Sequence, residues 1–479
     1  MNVLFVYSLA EAPSPPAKPL NSWTKIQLGL SYISSVLKRA GHKTKTVVPG
    51  RVNFEKGIDR AMDEFPTDII CFTAVSTEYP FIHQVAQYVR SKAPSACMVI
   101  GGPHASLQPE EVMKGPFDAV CVGEGEYPVK ELASALEEGK KPEEIPNLWV
   151  RTDHSIQKNT TRKFVENLDQ LPFPDREIWK PWVEHDTQHS VLVGRGCPYR
   201  CTYCCNHMLR NLAGGRYVRF RSPANVMEEI RHVSKEFPDV SEIFLEVETI
   251  TANQKWAFEF CSLMEEFNFS GERPVALGTN VRVIPGKSLQ PLFEAFCRAG
   301  FQSINMGIES GSERVRSQVL KRIYRNQDLI RTCDEAHQAG LRINAYNMIG
   351  LPGETPEDFK KTLEVNRRCL PERNYLSIFC PYPGTELYRV CVERGLNVEL
   401  TQGSMERFRP VLGLPEFPDK QVMHYFRWFD WYVYRRKKPL LKILSHAALR
   451  TLGAYPRLFR AFRFVTSRGP LASLRRWLG

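Results

Sequence analysis

Apolar runs alternate with amphipathic segments along the first 140 residues. Five runs are short and apolar enough to be buried strands: NVLFVYS, KTKTVV, DIICFTAV, CMVIGG and FDAVCVG. Segments with helical spacing of apolar positions separate them, for example residues 27–40 and IHQVAQYVRSK. Strands that alternate with helices form parallel sheets covered on both faces. We therefore predict a doubly wound, Rossmann-like α/β domain over residues 1–140, with the turns after its strands as the binding edge.

A second alternating series begins at His189. It follows a stretch rich in Pro, Asp and Asn that we interpret as a linker over residues 141–186. Its six apolar runs are SVLVGR, EIFLEV, PVALGTN, SINMGIE, RINAYNMIG and YLSIFC. Six strand–helix units predict an incomplete (β/α)6 barrel of the TIM type over residues 187–400, with its active site at the carboxyl ends of the strands. Residues 401–479 would form a helical, basic extension.

The balance of basic and acidic residues is unusual only in the C-terminal extension. The chain has 64 Lys and Arg against 53 Asp and Glu, but twelve basic residues and no acidic ones follow Asp430. Basic and apolar side chains that share helical faces favour contact between residues 435–479 and an anionic membrane surface. The apolar positions behind that expectation include Leu471, Leu474 and Leu478. No nucleic-acid-binding module accompanies the extension, so we do not expect a nucleic-acid partner.

The segment just before this basic stretch has a different pattern. Val422, Phe426, Phe429 and Val433 fall on one helical face. We expect residues 421–434 to form a helix that packs these side chains on the barrel.

The amino terminus and the cysteines indicate the compartment. MNVLFVYSLAEAPS lacks a basic n-region, and no run of about 18 apolar residues predicts a membrane-spanning helix. The thirteen cysteines are an odd number, and most stand singly in apolar segments. This is typical of buried thiols in a reducing cytoplasm. We expect a cytoplasmic protein that is peripheral on the inner membrane surface if its extension binds lipid.

Four cysteines lie in GRGCPYRCTYCCNH, residues 194–207, directly after the first barrel strand. Cys197, Cys201 and Cys204 have the spacing C-x3-C-x2-C. Thiolates are soft ligands that favour iron–sulfur clusters or zinc. Three cysteines can hold a four-iron cluster with one iron open, whereas three cysteines and His207 would make a tetrahedral zinc site. A redox pair is a third interpretation, and structural thiols are disfavoured because the loop is polar.

This loop, with Tyr203 before the last cysteine of the motif, resembles the cluster loop of radical S-adenosylmethionine (radical SAM) enzymes. The resemblance implies that Cys197, Cys201 and Cys204 hold a [4Fe–4S] cluster whose open iron binds SAM. It makes Cys205 an extra thiol. An external electron donor would reduce the cluster, and SAM would be cleaved to a 5′-deoxyadenosyl radical that abstracts hydrogen from carbon. No residue is thereby identified that guides or quenches the substrate radical.

Motifs after later barrel strands fit the same family. FLEVETIT, MGIESGSERV, NMIGLPGET and PYPGTEL follow strands two, four, five and six. By the resemblance, the residues that would contact SAM are Tyr203, Glu246, Glu248, Glu309, Ser310 and Gly350. Val247 stands where relatives carry an acid, so the sequence leaves open which of the two neighbouring glutamates meets the SAM amino group.

The first domain resembles the cobalamin-binding domain that precedes the barrel in one branch of this superfamily. The residues that would contact cobalamin are Thr73, Ser76, Gly101, Gly102, His104, Gly123, Glu124 and Gly125. The Asp-x-His-x-x-Gly motif, whose His ligates cobalt in other cobalamin proteins, is absent after the first strand, where LAEAPSPPAKPLNSWTK stands. His104 could substitute as a ligand, although a histidine in a turn more often serves as a hydrogen-bonding residue.

These resemblances together imply a cobalamin-dependent radical SAM enzyme, a methyltransferase that acts on an unactivated carbon of a small hydrophobic or lipid-like substrate. One SAM would methylate cob(I)alamin, a second would supply the radical, and methylcobalamin would deliver the methyl group. A radical cyclase, oxidase or rearrangement enzyme with the same cofactors is the first alternative. A zinc- or cluster-binding protein that docks on membranes or nucleic acid, without catalysis, is the second.

Overall fold

The computed structural model describes residues 1–9, 18–269, 274–398 and 407–455. The chain is an α/β protein that divides into two compact units. Unit 1 comprises Met1–Tyr199 and Cys204–Gly278, and unit 2 comprises Arg200–Tyr203 and the chain from Thr279.

Unit 1 contains a seven-stranded sheet with the strand order β3-β1-β4-β5-β6-β7-β8. Its strands are β1 (Asn2–Val6), β3 (Lys43–Val47), β4 (Ile69–Thr73), β5 (Cys97–Gly101), β6 (Ala119–Cys121), β7 (Leu148–Arg151) and β8 (Ile156–Lys158). The pairs among β3, β1, β4, β5 and β6 are parallel, as the alternation of strands and helices predicts. Because both faces are covered, side chains on both sides of β1 and β4 are buried.

Six helices accompany this sheet along the chain. They are α1 (Leu28–Arg39), α2 (Phe54–Glu64), α3 (Tyr79–Lys92), α4 (Pro103–Leu107), α5 (Pro109–Val112) and α6 (Glu126–Glu137). Two short sheets complete the unit's strands, β2 (Leu20–Ser22) with β9 (Val183–His185) and β11 (Gly194–Arg195) with β12 (Arg219–Phe220).

The segment expected to be a linker contributes strands. β7 pairs antiparallel with β6, and β8 pairs antiparallel with β7, so residues 148–158 extend the first sheet. In β7, Leu148 and Val150 are buried while Arg151 is exposed. This alternation suits a strand that covers the edge of a sheet, and tertiary pairing decides the outcome where local composition suggested a linker.

The second sheet has six strands in the order β10-β13-β14-β15-β16-β17, and the boundary between the units falls within β14. The strands are β10 (Gln188–Leu192), β13 (Glu242–Glu246), β14 (Ala276–Val281), β15 (Phe301–Glu309), β16 (Arg342–Ile349) and β17 (Arg373–Ile378). The helices that follow are α7 (Asn206–Leu209), α8 (Pro223–Glu236), α9 (Gln254–Phe269), α10 (Gln290–Arg298), α11 (Asn326–Gln338), α12 (Pro356–Cys369) and α13 (Glu386–Glu393). Six strands in chain order agree with the predicted partial barrel.

The C-terminal part of unit 2 contains α14 (Asp419–Tyr434) and α15 (Leu440–Gly453). In α14 the predicted apolar face is buried in the core of unit 2, together with Phe359 of α12. Asp430 of α14 holds α15 through His446 (Oδ2 to Nδ1, 2.7 Å) and Arg450 (Oδ1 to Nη2, 3.2 Å). The predicted apolar face of Leu471, Leu474 and Leu478 lies outside the described residues. Among the helices that are described, none has the length and apolar character needed to cross a bilayer.

Candidate active site

The candidate cysteine motif lies between β11 and α7. All thirteen cysteines of the chain are within the described residues and none forms a disulfide bond. Cys201 is buried, whereas Cys197 and Cys204 are partly accessible. Within the described ranges, no three His, Cys, Asp or Glu side chains are arranged to hold a metal ion.

The electrostatics of the loop distinguish its adjacent cysteines. A hydrogen bond from Cys205 and one from the backbone of Asn206 lower the pKa of Cys204 to about 7, although burial opposes this. The Asn206 side-chain amide also lies 3.8 Å from Cys204 Sγ. The hydrogen bond to Cys204 and burial raise the pKa of Cys205. The thiolate is the metal-binding form of cysteine, and within this pair Cys204 has the lowered pKa and Cys205 the raised one.

Cationic and aromatic groups surround Cys201 and Tyr203 within unit 2. Arg282 Nη1 lies 3.0 Å from Cys201 Sγ. Tyr203 donates a 2.9 Å hydrogen bond to Glu309 Oε1, and Arg322 Nη1 donates to the Tyr203 hydroxyl at 3.0 Å. The structure therefore brings Tyr203 and Glu309, two of the predicted SAM-contact residues, into one hydrogen-bonded group with Arg322.

Glu309 is held in an unusual backbone conformation at the end of β15. Its φ is 61°, in the left-handed region that non-glycine residues rarely adopt. A side chain at Gly307 would overlap the Glu309 carboxylate, so the glycine makes room for it. Arg322 also donates to the Gly307 carbonyl at 2.6 Å. Strained residues that their surroundings hold firmly are concentrated at functional sites.

Ser310 and Gly350 form hydrogen bonds within the turns in which they lie. Ser310 is fully buried, its Oγ accepts from the Ser312 N–H at 3.2 Å, and its carbonyl accepts from Arg316 at 2.7 Å. Gly350 has a φ of 78°, and its N–H donates to Glu354 Oε2 at 2.7 Å. Burial raises the pKa of Glu354 to about 8.

Glu246 and Glu248 lie at the end of β13 in unit 1. Glu246 is partly buried, and burial followed by the charge of Glu248 raises its pKa to about 7. Glu248 is exposed, and its charge opposes ionisation of Cys204 and of Tyr217. The charge of Glu248 therefore acts on the cysteine loop, whereas Glu246 is the acid with the raised pKa.

A cavity of about 330 Å³ lies at the carboxyl edge of the first sheet, entirely within unit 1. Six of the predicted cobalamin-contact residues line it: Thr73, Gly101, Gly102, Gly123, Glu124 and Gly125. Helix α1 contributes Tyr32 and Ile33, the cysteine loop contributes Gly196, and helix α7 contributes Leu209. The turns of the first domain and the backbone next to Cys197 therefore share one cavity.

Ser76 and His104 do not line this cavity. His104 is buried, its Nδ1 lies 3.2 Å from Ser76 Oγ, and its ring packs on Tyr79 with centroids 4.3 Å apart. Burial lowers the pKa of His104 to about 4. Nε2 of His104 is buried and has no hydrogen-bond partner among the described residues.

Four charged residues connect the cavity wall to the cysteine loop. Arg195 donates to Glu124 Oε1 at 2.9 Å and also to Glu126, and Arg219 donates to Glu124 Oε2 at 3.1 Å. The Arg195 guanidinium lies 5.2 Å from the Tyr32 ring centroid. Burial opposes the charge on Arg195, but the two carboxylates outweigh it and raise its pKa. Sequence reasoning missed Arg195, Arg219 and Arg322, because a single arginine has no distinctive spacing.

Comparison with models of known protein families identifies both the first domain and the barrel domain. The model of the radical SAM superfamily matches residues 191–365, and that of the B12 binding domain matches residues 25–133. The chain belongs to the B12-binding branch of the radical SAM superfamily.

Several relatives align with most of the chain. An uncharacterized methyltransferase of Pyrococcus horikoshii is 26% identical over 88% of this chain and 90% of its own length. The anaerobic magnesium-protoporphyrin IX monomethyl ester cyclase of Rubrivivax gelatinosus is 24% identical over 90% of this chain and 77% of its own length. The hopanoid C-3 methylase of Methylococcus capsulatus is 23% identical over 75% of this chain and 67% of its own length.

A solved structure shares the fold. The radical SAM methyltransferase TsrM from Kitasatospora setae, with cobalamin and a [4Fe–4S] cluster bound, aligns with a TM-score of 0.65 and 16% identity. The alignment covers 89% of this chain and 81% of that one.

This radical SAM enzyme uses a [4Fe–4S] cluster, SAM and cobalamin. When bound, these cofactors would supply a carbon-centred radical and a transferable methyl group. The reaction also needs a small-molecule substrate and an electron donor. The cysteine loop fits a cluster by its thiol chemistry, since thiolates are the ligands of iron–sulfur clusters. Gly102 and Gly123, which line the cavity of unit 1 with φ of 94° and 92°, let the backbone approach a bound cofactor closely.

Proposed function

We propose that this enzyme transfers a methyl group from SAM to an unactivated carbon of a small hydrophobic molecule. The single observation that carries this proposal is the cavity of unit 1, which the B12-domain turns and Gly196 line together. Methyl transfer requires the methyl carrier to lie near the place where the substrate radical forms, and a shared cavity meets that requirement. The methyltransferase relatives support the same reaction, and the hopanoid methylase supports an apolar substrate.

The chain's own residues would hold and shield these groups. Cys197, Cys201 and Cys204 would ligate the cluster, with Arg282 beside Cys201 balancing thiolate charge. The group of Tyr203, Glu309 and Arg322 would orient SAM, because its hydroxyl and guanidinium can pair with polar groups of that molecule. The apolar walls of the unit 1 cavity would keep water from a reactive radical.

The test uses protein reconstituted under anaerobic conditions with iron, sulfide and cobalamin. After addition of SAM and a low-potential reductant, 5′-deoxyadenosine and S-adenosylhomocysteine are measured by chromatography. Both products, with S-adenosylhomocysteine lost when cobalamin is omitted, would support a methyltransferase. The triple variant C197A/C201A/C204A is the control and should form no 5′-deoxyadenosine.

Two other results of this measurement would point away from methyl transfer. Deoxyadenosine without S-adenosylhomocysteine would favour a radical cyclisation, which the relationship to the Rubrivivax cyclase makes the second candidate. Neither product from protein with an intact cluster would contradict the proposed function.

We also propose that the C-terminal extension rests on an anionic membrane surface. Helix α15 exposes Leu440 (55%), Leu441 (72%) and Leu444 (42%), and four consecutive basic residues, 435–438, precede it. Exposed leucines beside basic residues suit insertion among anionic headgroups. A position at the membrane would also bring the enzyme to lipid-like substrates.

A further inference from the structure

Thr202 lies in the part of the cysteine loop that belongs to unit 2, and it is buried. Its hydroxyl donates to the Val319 carbonyl at 2.6 Å, and its N–H donates to the Leu320 carbonyl at 3.4 Å. Its own carbonyl accepts from the Leu387 N–H at 2.9 Å. The hydroxyl, the N–H and the carbonyl of one residue therefore tie this part of the loop to two segments that are distant in sequence.

The first of these segments is a single turn of π-helix, Val315–Val319, which we call the π-turn. Such turns are rare in proteins and frequently occur at functional sites. Arg316 of the π-turn is fully buried, and its guanidinium donates to the Ser310 carbonyl at 2.7 Å and to the Tyr324 carbonyl at 2.8 Å. These bonds fix the π-turn on both sides, so the carbonyl groups at its end are held firmly where Thr202 meets them.

The second segment is the PYPGTEL motif, residues 381–387, at the start of α13. Thr385 is the N-cap residue of this helix. The first N–H groups of an α-helix have no carbonyl partner within the helix and need one elsewhere. The Leu387 N–H is one of these groups, and the carbonyl of Thr202 supplies its partner. The motif therefore presents the amino terminus of a helix to the cysteine loop.

The same segment that binds Thr202 also binds the next residue of the loop, Tyr203. Arg322, three positions after Val319, donates to the Tyr203 hydroxyl at 3.0 Å and lies 3.3 Å from Glu309 Oε1. Two adjacent loop residues are thus bonded to one short segment, and the bonds close a ring that includes the chain between Val319 and Arg322. A shift of Thr202 would therefore move the Tyr203 hydroxyl relative to Glu309.

We propose that Thr202 is a positioning residue for the SAM site. Its bonds to the π-turn and to α13 fix the two residues on either side of it, so that the Tyr203 hydroxyl stays between Glu309 and Arg322. Valine has nearly the shape of threonine, so packing alone does not require the hydroxyl, whereas a hydrogen bond is directional and fixes the loop. This inference rests on the proposed function, which assigns Tyr203, Glu309 and Arg322 to SAM. It also gives the PYPGTEL motif a role, which is to hold the cysteine loop.

The test compares SAM binding to the reconstituted full-length holoenzyme in the wild type and three variants. T202V removes the hydroxyl and keeps the shape of the side chain, whereas T202S keeps the hydroxyl. T332V is the matched control, because Thr332 of α11 is also buried and its hydroxyl also donates to a backbone carbonyl, that of Asp328, at 2.9 Å. SAM affinity is measured by equilibrium dialysis and by the change that SAM causes in the electron paramagnetic resonance spectrum of the reduced cluster.

T202V should weaken SAM binding by about fivefold, which is the factor that one buried hydrogen bond contributes. The spectral change should then need correspondingly more SAM. T202S should stay within about twofold of the wild type. T332V should bind SAM like the wild type, although thermal unfolding should show a similar loss of stability in both valine variants. This contrast separates a positioning role from a general loss of stability.

Wild-type SAM affinity in T202V with full iron content would overturn the proposal. Equal weakening in T202V and T332V, or in T202V and T202S, would overturn it as well, because the Thr202 hydroxyl would then have no special effect. If T202V does not fold, T202A takes its place, since it also lacks the hydroxyl and is smaller.

The two failures are distinguishable in the wild type. Wild-type holoenzyme that binds no SAM would contradict the proposed function and, with it, the role of Thr202. Wild-type protein that binds SAM and forms 5′-deoxyadenosine, together with an unaffected T202V, would overturn the role of Thr202 alone.

Discussion

Arg195 Nη1 lies 2.9 Å from Glu124 Oε1, which ties the residue two positions before Cys197 to the turn after β6. The pair belongs to a group that also contains Glu126 and Arg219. Both Arg195 and Glu124 also line the cavity of unit 1. The start of the cysteine loop is thus fixed to a turn of the B12-binding domain by charge.

Arg195→Gln should destabilise the protein by about 3 kcal/mol, because two largely buried carboxylates would be left with Arg219 alone. The free energy of unfolding in urea measures this. Lys45→Gln is the matched control, since it removes an exposed partner of Glu64 and should cost no more than about 1 kcal/mol. Equal losses in the two variants would show that the Arg195 group has no special structural role.

Cys204→Ala should abolish the iron–sulfur absorbance of reconstituted protein, whereas Cys205→Ala should retain it. The hydrogen bond from Cys205 and the lowered pKa make Cys204 the thiolate of the pair. Iron, sulfide and zinc content, together with the absorption spectrum, measure the effect. The reverse result, or bound zinc without sulfide in the wild type, would refute this ligand assignment.

Gly307→Ala should weaken SAM binding by about tenfold, because the added methyl group would displace the Glu309 carboxylate from Tyr203 and Arg322. Equilibrium dialysis with SAM measures the change. Gly57→Ala is the control, since no atom lies within 4 Å of the added carbon there. Unchanged SAM affinity in Gly307→Ala would remove Glu309 from the SAM site.

Glu354→Gln should alter the pH dependence of stability. The folded-state pKa of Glu354 is raised from 4.5 to about 8, so its protonated form stabilises the fold fully below pH 4.5. That contribution is lost as the pH rises through about 8, by up to about 1.4 kcal/mol per pH unit. The glutamine side chain of the variant would keep accepting from the Gly350 N–H without becoming charged.

Thermal unfolding at pH 5, 7 and 9 checks this expectation. The variant should gain stability relative to the wild type as the pH rises. Glu357→Gln, at an exposed position of α12, is the control and should follow the wild-type profile. Parallel profiles for the wild type and Glu354→Gln would show that Glu354 does not titrate in this range.

Leu440→Ser/Leu441→Ser should reduce sedimentation with phosphatidylglycerol vesicles several-fold, because two exposed apolar groups no longer enter the headgroup layer. Binding should fall with added salt and be weaker for vesicles of phosphatidylcholine alone. Val392→Ser, at an exposed position of α13, is the matched control. Equal sedimentation with neutral and anionic vesicles would contradict an electrostatic membrane contact.

Two alternating series of strands and helices, the cysteine spacing and the glycine turns can all be predicted from the sequence. These features are local: the strands are short apolar runs, and thiols confined to eight positions can share one loop. The positions of Gly101, Gly102, Gly123 and Gly125 on a cavity also followed from sequence, because parallel strands bring their carboxyl ends to one edge.

The partners of charged and polar side chains, in contrast, depend on how the chain packs in three dimensions. Arg195, Arg322 and the asparagines of β14–β16 pair with residues between 13 and 119 positions away, and no local pattern specifies such contacts. Residues 148–158 became strands for the same reason, since the open edge of β6 offered unpaired backbone groups. Periodicity in a sequence records which side chains are buried, whereas the partner of a buried charge depends on how distant elements pack.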